Sequence, residues 1–258
     1  MNTPLVTVAV PSFNQGAFLD AALASIFQQD IPLEVFVMDG GSTDGTIDII
    51  KKWEHLLSGW RSHRDDGQAS AINEGIALGK APFVCWLNSD DLFLPDGLKK
   101  LLFRLMDLPD APMVYGQAWN HIYPSGKLTP IWVEPFSVLR LSRRCIIAQP
   151  ATLIRRSAWE SVCGLNKHLQ MAMDYDLWWR LYRQVGNPCF LDQFVAINTI
   201  HQNTKTTTRR RLHYREAMGI VYKYYGSIPL KWWLYIPYSV CYKTIRNRLL
   251  RYFNEIGY

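Results

Sequence analysis

Short apolar runs alternate with longer stretches in which apolar positions recur every three or four residues. Residues 6–10, rich in Val and closed by Pro11, predict a buried strand. Over 17–28, Phe18, Leu19, Ala22, Leu23, Ile26 and Phe27 share one helical face. Residues 33–38 predict a second buried strand, stopped by the turn-forming run Asp39-Gly40-Gly41-Ser42-Thr43-Asp44-Gly45. A helix is predicted over 46–54 and another over 68–80, where Ala69, Ile72, Ile76 and Leu78 are apolar. Residues 83–87 predict a third strand that runs into Asn88-Ser89-Asp90-Asp91, and Pro95 suits the first position of the next helix. Strands alternating with helices predict an α/β fold with a mostly parallel central sheet flanked by helices.

The middle of the chain is less regular. Residues 113–115, 118–123 and 128–132 read either as strands or as extended loops around the Pro124-Ser125-Gly126 turn. A strand over 151–154, a short helix over 157–162, a helix over 174–184 and a strand over 195–200 follow. Beyond Thr208 the pattern is helical, with breaks expected at Pro229 and Pro237. Without an internal repeat or a low-complexity linker, the chain divides into a main domain over 1–205 and a helical C-terminal extension over 206–258.

Composition narrows the classes. The 258 residues are 48% hydrophobic and 19% charged, enough to bury a core, which excludes wholesale disorder, collagen and a disulfide-stapled miniprotein. No run reaches the roughly 18 to 20 apolar residues of a membrane-spanning helix. The first residues carry no basic flank, so no signal peptide is expected. Cys85, Cys145, Cys163, Cys189 and Cys241 are scattered without a CxxC, the pattern of reduced cytoplasmic thiols rather than of disulfides or zinc. The net charge of +6 hides an asymmetry: residues 201–258 hold 11 Lys and Arg against two acidic residues, with 12 aromatics among them. A basic, aromatic tail points to an anionic partner.

Three polar clusters each follow a predicted parallel strand: Ser12-Phe13-Asn14, Asp39 to Gly45, and Asn88 to Asp91. Carboxyl ends of parallel strands share one crevice, so these clusters are expected to converge on a ligand. The adjacent carboxylates of Asp90 and Asp91 suit a divalent cation, since Mg²⁺ and Mn²⁺ bind through one or two carboxylates plus substrate phosphates. Asp91 alternatively reads as a cap for the helix entered near Pro95, which leaves Asp90 for the cation.

The order of motifs resembles the family 2 glycosyltransferases of the GT-A fold. The resemblance is carried by Val8-Ala9-Val10-Pro11-Ser12-Phe13-Asn14, by Asp39 to Thr46, by Asp65-Asp66-Gly67-Gln68-Ala69-Ser70-Ala71-Ile72-Asn73-Glu74-Gly75, by Trp86-Leu87-Asn88-Ser89-Asp90-Asp91, and by Asp174-Tyr175-Asp176-Leu177-Trp178-Trp179-Arg180. It implies an inverting transferase with a nucleotide-sugar donor, expected to be UDP-linked because an acidic residue suits the N3–H of uracil. Pro11, Phe13, Asn14, Asp39 and Asp65 would hold the nucleoside, with Asn88, Ser89 and Asp90 at the ribose and diphosphate. Asp90 would ligate Mn²⁺ or Mg²⁺, with His201 as a second ligand. Asn88 stands where the family's D-x-D triplet begins with a carboxylate. Gln149, Gly164 and Asp176 fall on the acceptor side, Asp176 also reading as a first-turn dipole partner or support for the site that can pair with Arg180 four residues on, and Asp174 takes the place of the catalytic base, although aspartate is also a preferred helix N-cap. Gly164 reads equally as a helix C-terminal cap. The setting implied is surface polysaccharide assembly, with a saccharide or lipid-linked saccharide acceptor and the tail on the anionic inner face of the membrane. The acidic crevice argues against nucleic acid at the main site. Two other readings stay open on the residues alone: a metal-dependent nucleotidyltransferase, which would need a basic triphosphate loop absent after the first strand, and a non-catalytic sugar-nucleotide-binding protein.

Overall fold

The computed structural model describes residues 3–202 and 204–242. Its first half repeats strand and helix in the order β1 (Val6–Ser12), α1 (Gly16–Phe27), β2 (Leu33–Asp39), α2 (Thr46–Trp53), β3 (Gly59–Ser62), α3 (Gln68–Leu78) and β4 (Phe83–Trp86). These four strands lie parallel in the order β3-β2-β1-β4. Their side chains alternate between the two faces: Val6, Val8 and Val10 of β1 pack on one side with α1, while Ala9 packs on the other with α3. Phe83 and Cys85 of β4 divide from Val84 and Trp86 in the same way. Strands buried on both faces explain why the sequence shows apolar runs rather than a polar–apolar alternation.

The second half adds β5 (Leu92–Phe93), α4 (Gly97–Met106), β6 (Met113–Ile122), β7 (Lys127–Pro130), α5 (Val138–Arg143), β8 (Thr152–Arg155), α6 (Arg156–Ser161), α7 (Met173–Gln184) and β9 (Cys189–Ile200). Here the sheet is mixed: β8 is antiparallel to β4 and β6, β9 runs parallel to β6, and β5 and β7 are antiparallel edges. The stretches left open between strand and loop are the long β6 and β7, with an irregularity near Gly116 where β6 shifts register against β9.

Two starts differ from expectation. Helix α4 begins at Gly97, two residues beyond Pro95, because Asp96 adopts a left-handed conformation as its N-cap. A Cβ at Gly97 would stand 2.1 Å from the Val195 carbonyl oxygen, so only glycine lets this helix start against the β9 backbone. Asp91 does not cap it either; its carboxylate turns inward, as described below.

After β9 come α8 (Lys205–Thr208), α9 (Arg210–Tyr225) and α10 (Leu230–Ile236). Gly226, at φ +86°, ends α9, and Pro229 is the N-cap of α10. At Pro237 the α-helix ends and the backbone widens into a π-type turn through Pro237–Tyr242, which accommodates a residue that has no N–H to donate. Ala217, Ile220 and Val221 of α9 and Trp232 of α10 share the hydrophobic cluster of α7, including Trp178 and Trp179. The extension is therefore packed into the core through its described part; Lys243, Arg246, Arg248 and Arg251 lie outside the described residues. Among the described residues no helix is long and apolar enough to cross a membrane.

Candidate active site

The polar clusters do converge. The carboxyl ends of β1, β2 and β4 open on a cavity of about 920 Å³, closed on its far side by the end of β9 and the loop that enters α7. Its first wall is the β1 loop, with Pro11, Ser12, Phe13 and Asn14 all on the surface. Phe13 is 60% exposed, an aromatic face on the cleft. Asn14, at φ 52°, spans to the β2 loop: its N–H donates to Ser42 Oγ (2.7 Å) and its Oδ1 accepts the Thr43 N–H (2.9 Å).

Asp39 lies behind that wall. Fully buried, its carboxylate accepts the N–H groups of Gly41 (3.0 Å) and Ser42 (2.9 Å) and the hydroxyls of Ser42 and Ser62. The structure thus places Asp39 in the scaffold of the loop, while its neighbour Gly40 reaches the cavity surface. Asp65 does reach the surface, held by Arg61 Nη1 (3.1 Å) and the Gly67 N–H (2.9 Å).

The acidic run after β4 folds as a turn, with the Asp91 N–H donating to the Asn88 carbonyl (3.0 Å). This sends the two carboxylates to different places. Asp91 is buried; it accepts the Thr199 N–H (2.9 Å) and the Asn88 amide (2.9 Å), and burial, reinforced by Asp90, raises its carboxyl above the usual range. Asp90 faces the cavity, where its Oδ2 meets His201 Nε2 at 3.0 Å. The His201 ring is clamped by stacking on Phe18, centroids 4.8 Å apart.

Asn88 is the hub of this turn. Its amide nitrogen donates to Asp91 and to Gln149 Oε1 (3.1 Å), and its oxygen accepts from Gln68 Nε2 (2.7 Å). Gln149 in turn donates to the Trp86 carbonyl (2.9 Å). Ser89 also lines the cavity.

The donor set fits a divalent cation. Asp90 offers a carboxylate oxygen and His201 an imidazole nitrogen, both of which can ligate such an ion, and in this structure they meet each other directly at 3.0 Å. Among the described residues no group of three His, Cys, Asp or Glu is assembled, so the remaining positions would fall to phosphate oxygens and water, as is usual for Mg²⁺.

Across the cavity stands Asp174. Helix α7 starts at Met173 with Ala172 as N-cap, so Asp174 is inside the first turn and not the cap. Its Oδ1 accepts the Tyr175 N–H (2.8 Å), and the residue lines the cavity. Burial among neighbours such as Met171 and Met173 pushes its carboxyl up to about 6.

Gly164 and Asp176 stand apart from the cavity lining. Gly164, at φ +63°, caps α6 by donating to the Trp159 carbonyl (3.0 Å), and a Cβ there would meet Asn73 Oδ1 at 2.7 Å. Asp176 is buried between Arg180 Nε (2.7 Å) and the Tyr224 hydroxyl (3.0 Å). Lys205, passed over in the sequence, does line the cavity; its Nζ donates to Gln68 Oε1 (2.8 Å). Its position four residues after His201 was the available signal.

A parallel half-sheet with an acidic cavity at its carboxyl edge is an α/β architecture that places a ligand site at that edge. Residues 7–160 match the family model "Glycosyl transferase family 2", and the chain belongs to that family. Over 214 residues it is 28% identical to a chondroitin synthase of Pasteurella multocida, a match that covers 79% of this chain and 22% of that protein. The chain therefore spans about a fifth of the length of that relative. Among solved structures, a 349-residue piece of S. aureus TarS in complex with UDP-GlcNAc superposes with a TM-score of 0.68 at 20% identity, covering 84% of this chain and 65% of that one. The mannosyltransferase PcManGT of Pyrobaculum calidifontis, in complex with GDP-Man and Mn²⁺, gives 0.65 at 17% identity, covering 100% and 77%. The fold is the GT-A fold that the resemblance implied.

Proposed function

We propose that the protein transfers a sugar, with inversion, from a UDP-linked donor to a hydroxyl of a saccharide or lipid-linked saccharide during surface glycan assembly. The observation that carries this reading is the single cavity with the Asp90–His201 pair on one wall and Asp174 on the other. Pro11 and Phe13 flank the base, Asp65 and the β1 loop bound the nucleoside, and Lys205 offers its ammonium to the diphosphate. Asp39 contributes by fixing the β2 loop, and Asn88 by fixing the turn that aims Asp90. Asp90 and His201 would hold Mn²⁺ or Mg²⁺, which when bound neutralises charge on the departing diphosphate.

Asp174 Oδ2 takes the proton of the acceptor hydroxyl as that oxygen forms its bond to the anomeric carbon. The bond from that carbon to the diphosphate oxygen breaks on the opposite face, and the nucleoside diphosphate leaves with the electron pair. One displacement inverts the centre and requires no protein nucleophile.

The chondroitin synthase relative and the UDP-GlcNAc complex of TarS support a UDP-sugar and a glycan product. Incubation with a panel of UDP- and GDP-sugars, Mn²⁺ and saccharide acceptors, followed by NMR of the product, tests the reading. Transfer with opposite anomeric configuration is expected; retention, or donor binding without transfer to any acceptor, would refute it.

A peripheral membrane location is part of the proposal. Helix α10 leaves Leu230, Trp233, Leu234 and Tyr235 exposed beside Lys231, and it is docked on α5 by the Trp232 Nε1 bond to the Ser142 carbonyl (2.8 Å), next to exposed Arg143. An aromatic and apolar face rimmed by cations suits an anionic bilayer surface.

A further inference from the structure

We propose that Glu216, on α9, is a positioning residue for the transfer: it holds the backbone that aims Asp174 into the cavity. This inference rests on Asp174 being the base.

Helix α7 lacks a side-chain cap at its start. Its N-cap is Ala172, whose side chain has nothing to give the orphan N–H groups of the first turn. The strand of loop before it would be free to swivel, and with it Gln170, Met171, Met173 and Asp174, all of which line the cavity. The constraint comes from more than forty residues downstream. Glu216 Oε1 accepts the Gln170 N–H (3.1 Å), and Oε2 accepts those of Met171 (2.9 Å) and Ala172 (3.0 Å). Three consecutive amides converge on one carboxylate, a charge-assisted arrangement stronger than neutral pairs.

Helix α9 is itself seated so that this carboxylate is rigid. Ala217, Ile220 and Val221, at helical spacing, bury one face against α7. Two turns beyond Glu216, the Tyr224 hydroxyl donates to Asp176 Oδ1 and its ring stacks on Trp179 with centroids 6.1 Å apart. At the other end Arg209 Nη1 donates to Gln170 Oε1 (2.9 Å). The helix therefore grips the first turn of α7 and the loop before it at three separate points, and Glu216 is the one that holds the backbone leading into Asp174. Glu216 is also one of only two acidic residues after position 200, set among 11 Lys and Arg.

A loosened loop would leave the β1 and β4 walls untouched and displace Asp174 together with Gln170, Met171 and Met173. Displacement of a reacting group by about 1 Å costs up to about 10²-fold in rate. Glu216→Ala is expected to lower kcat roughly 30- to 100-fold while UDP affinity in Mn²⁺, by calorimetry, stays within about threefold. Glu216→Gln keeps one oxygen for two of the three amides and should lose roughly 5- to 10-fold; if the alanine variant does not fold, the glutamine variant is read in its place.

The decisive comparison repeats the change in an Asp174→Asn background. If Glu216 acts through Asp174, the second substitution costs less than about threefold there, whereas a merely structural residue lowers both backgrounds alike. Equal losses in the two backgrounds, or a Glu216→Ala enzyme within threefold of wild type, would overturn the inference and leave the base assignment standing. An Asp174→Asn enzyme with wild-type rate would overturn both.

Discussion

Asp91 and Asp174 are both raised by burial, yet they serve different ends. Asp91 spends its oxygens on Thr199 and Asn88 and pins the β4 turn to β9, whereas Asp174 makes one local bond, to the Tyr175 N–H, and lines the cavity. A folded-state carboxyl pushed up to about 6 from an ordinary value of 3.8 holds its proton more tightly than the unfolded chain does. Its contribution to stability is fully present below about pH 4 and is lost as pH rises through about 6. Asp174→Asn is therefore expected to gain about 1–2 kcal/mol over wild type at pH 7, after allowance for partial exposure, and nothing near pH 4. The same variant should lose about 10²–10⁴-fold in kcat with unchanged UDP affinity, and wild-type kcat/KM should fall below a midpoint near pH 6. Denaturant titrations at the two pH values and a pH–rate profile check these outcomes; a variant that is both no more stable and nearly as active would show Asp174 to be inert. A second pair of substitutions separates scaffold from ligand. Asn88→Ala strips partners from Asp91, Gln149 and Gln68 and should cost roughly 2–3 kcal/mol with Mn²⁺-linked UDP affinity only weakened. Asp90→Ala should abolish that affinity at little cost in melting temperature. Calorimetry and thermal melts on both would detect the reverse pattern.

The βα units of the first half were legible because each element follows its own period, with strands buried on both faces and helices on one. Elements defined by contact with distant chain were not. The four-residue β3 contains Gly59 and Arg61 and gains its identity only by pairing with β2. Helix α4 starts where the β9 backbone allows, not where Pro95 invites. Gly97→Ala should accordingly cost roughly 2–3 kcal/mol in chemical denaturation, far more than a glycine-to-alanine change inside a helix usually does; a neutral result would mean that α4 and β9 can part freely. The same limit applied to the site. Motif order marked the β1 loop, Asp90 and Asp174, all near strand or helix ends. It also drew in Gly164 and Asp176, which the fold uses to cap α6 and to receive Arg180 and Tyr224, because a motif fixes which residues stand near a site and not which way they face. Lys205 entered the cavity only through the path of the chain after β9.

At the scale of the molecule, α10 presents its apolar side away from the core while Trp232 anchors it to α5. If that face meets a bilayer, Trp233→Ser and Leu234→Ser should each weaken sedimentation with phosphatidylglycerol vesicles about tenfold, since each removes roughly 1–2 kcal/mol of buried apolar area, and neither should change UDP affinity. Wild-type vesicle binding in both would dismiss the idea. Helix α9 bears on a separate matter, the order in which the chain is made. Every motif up to Asp174 emerges from the ribosome before Glu216 and Tyr224 exist to hold the loop and first turn of α7. A nascent or shortened chain could therefore assemble the donor wall and take up a nucleotide while its base is still unaimed. If Glu216 aims Asp174, catalytic competence would arrive last, and the family's recognisable core would not by itself be a portable module.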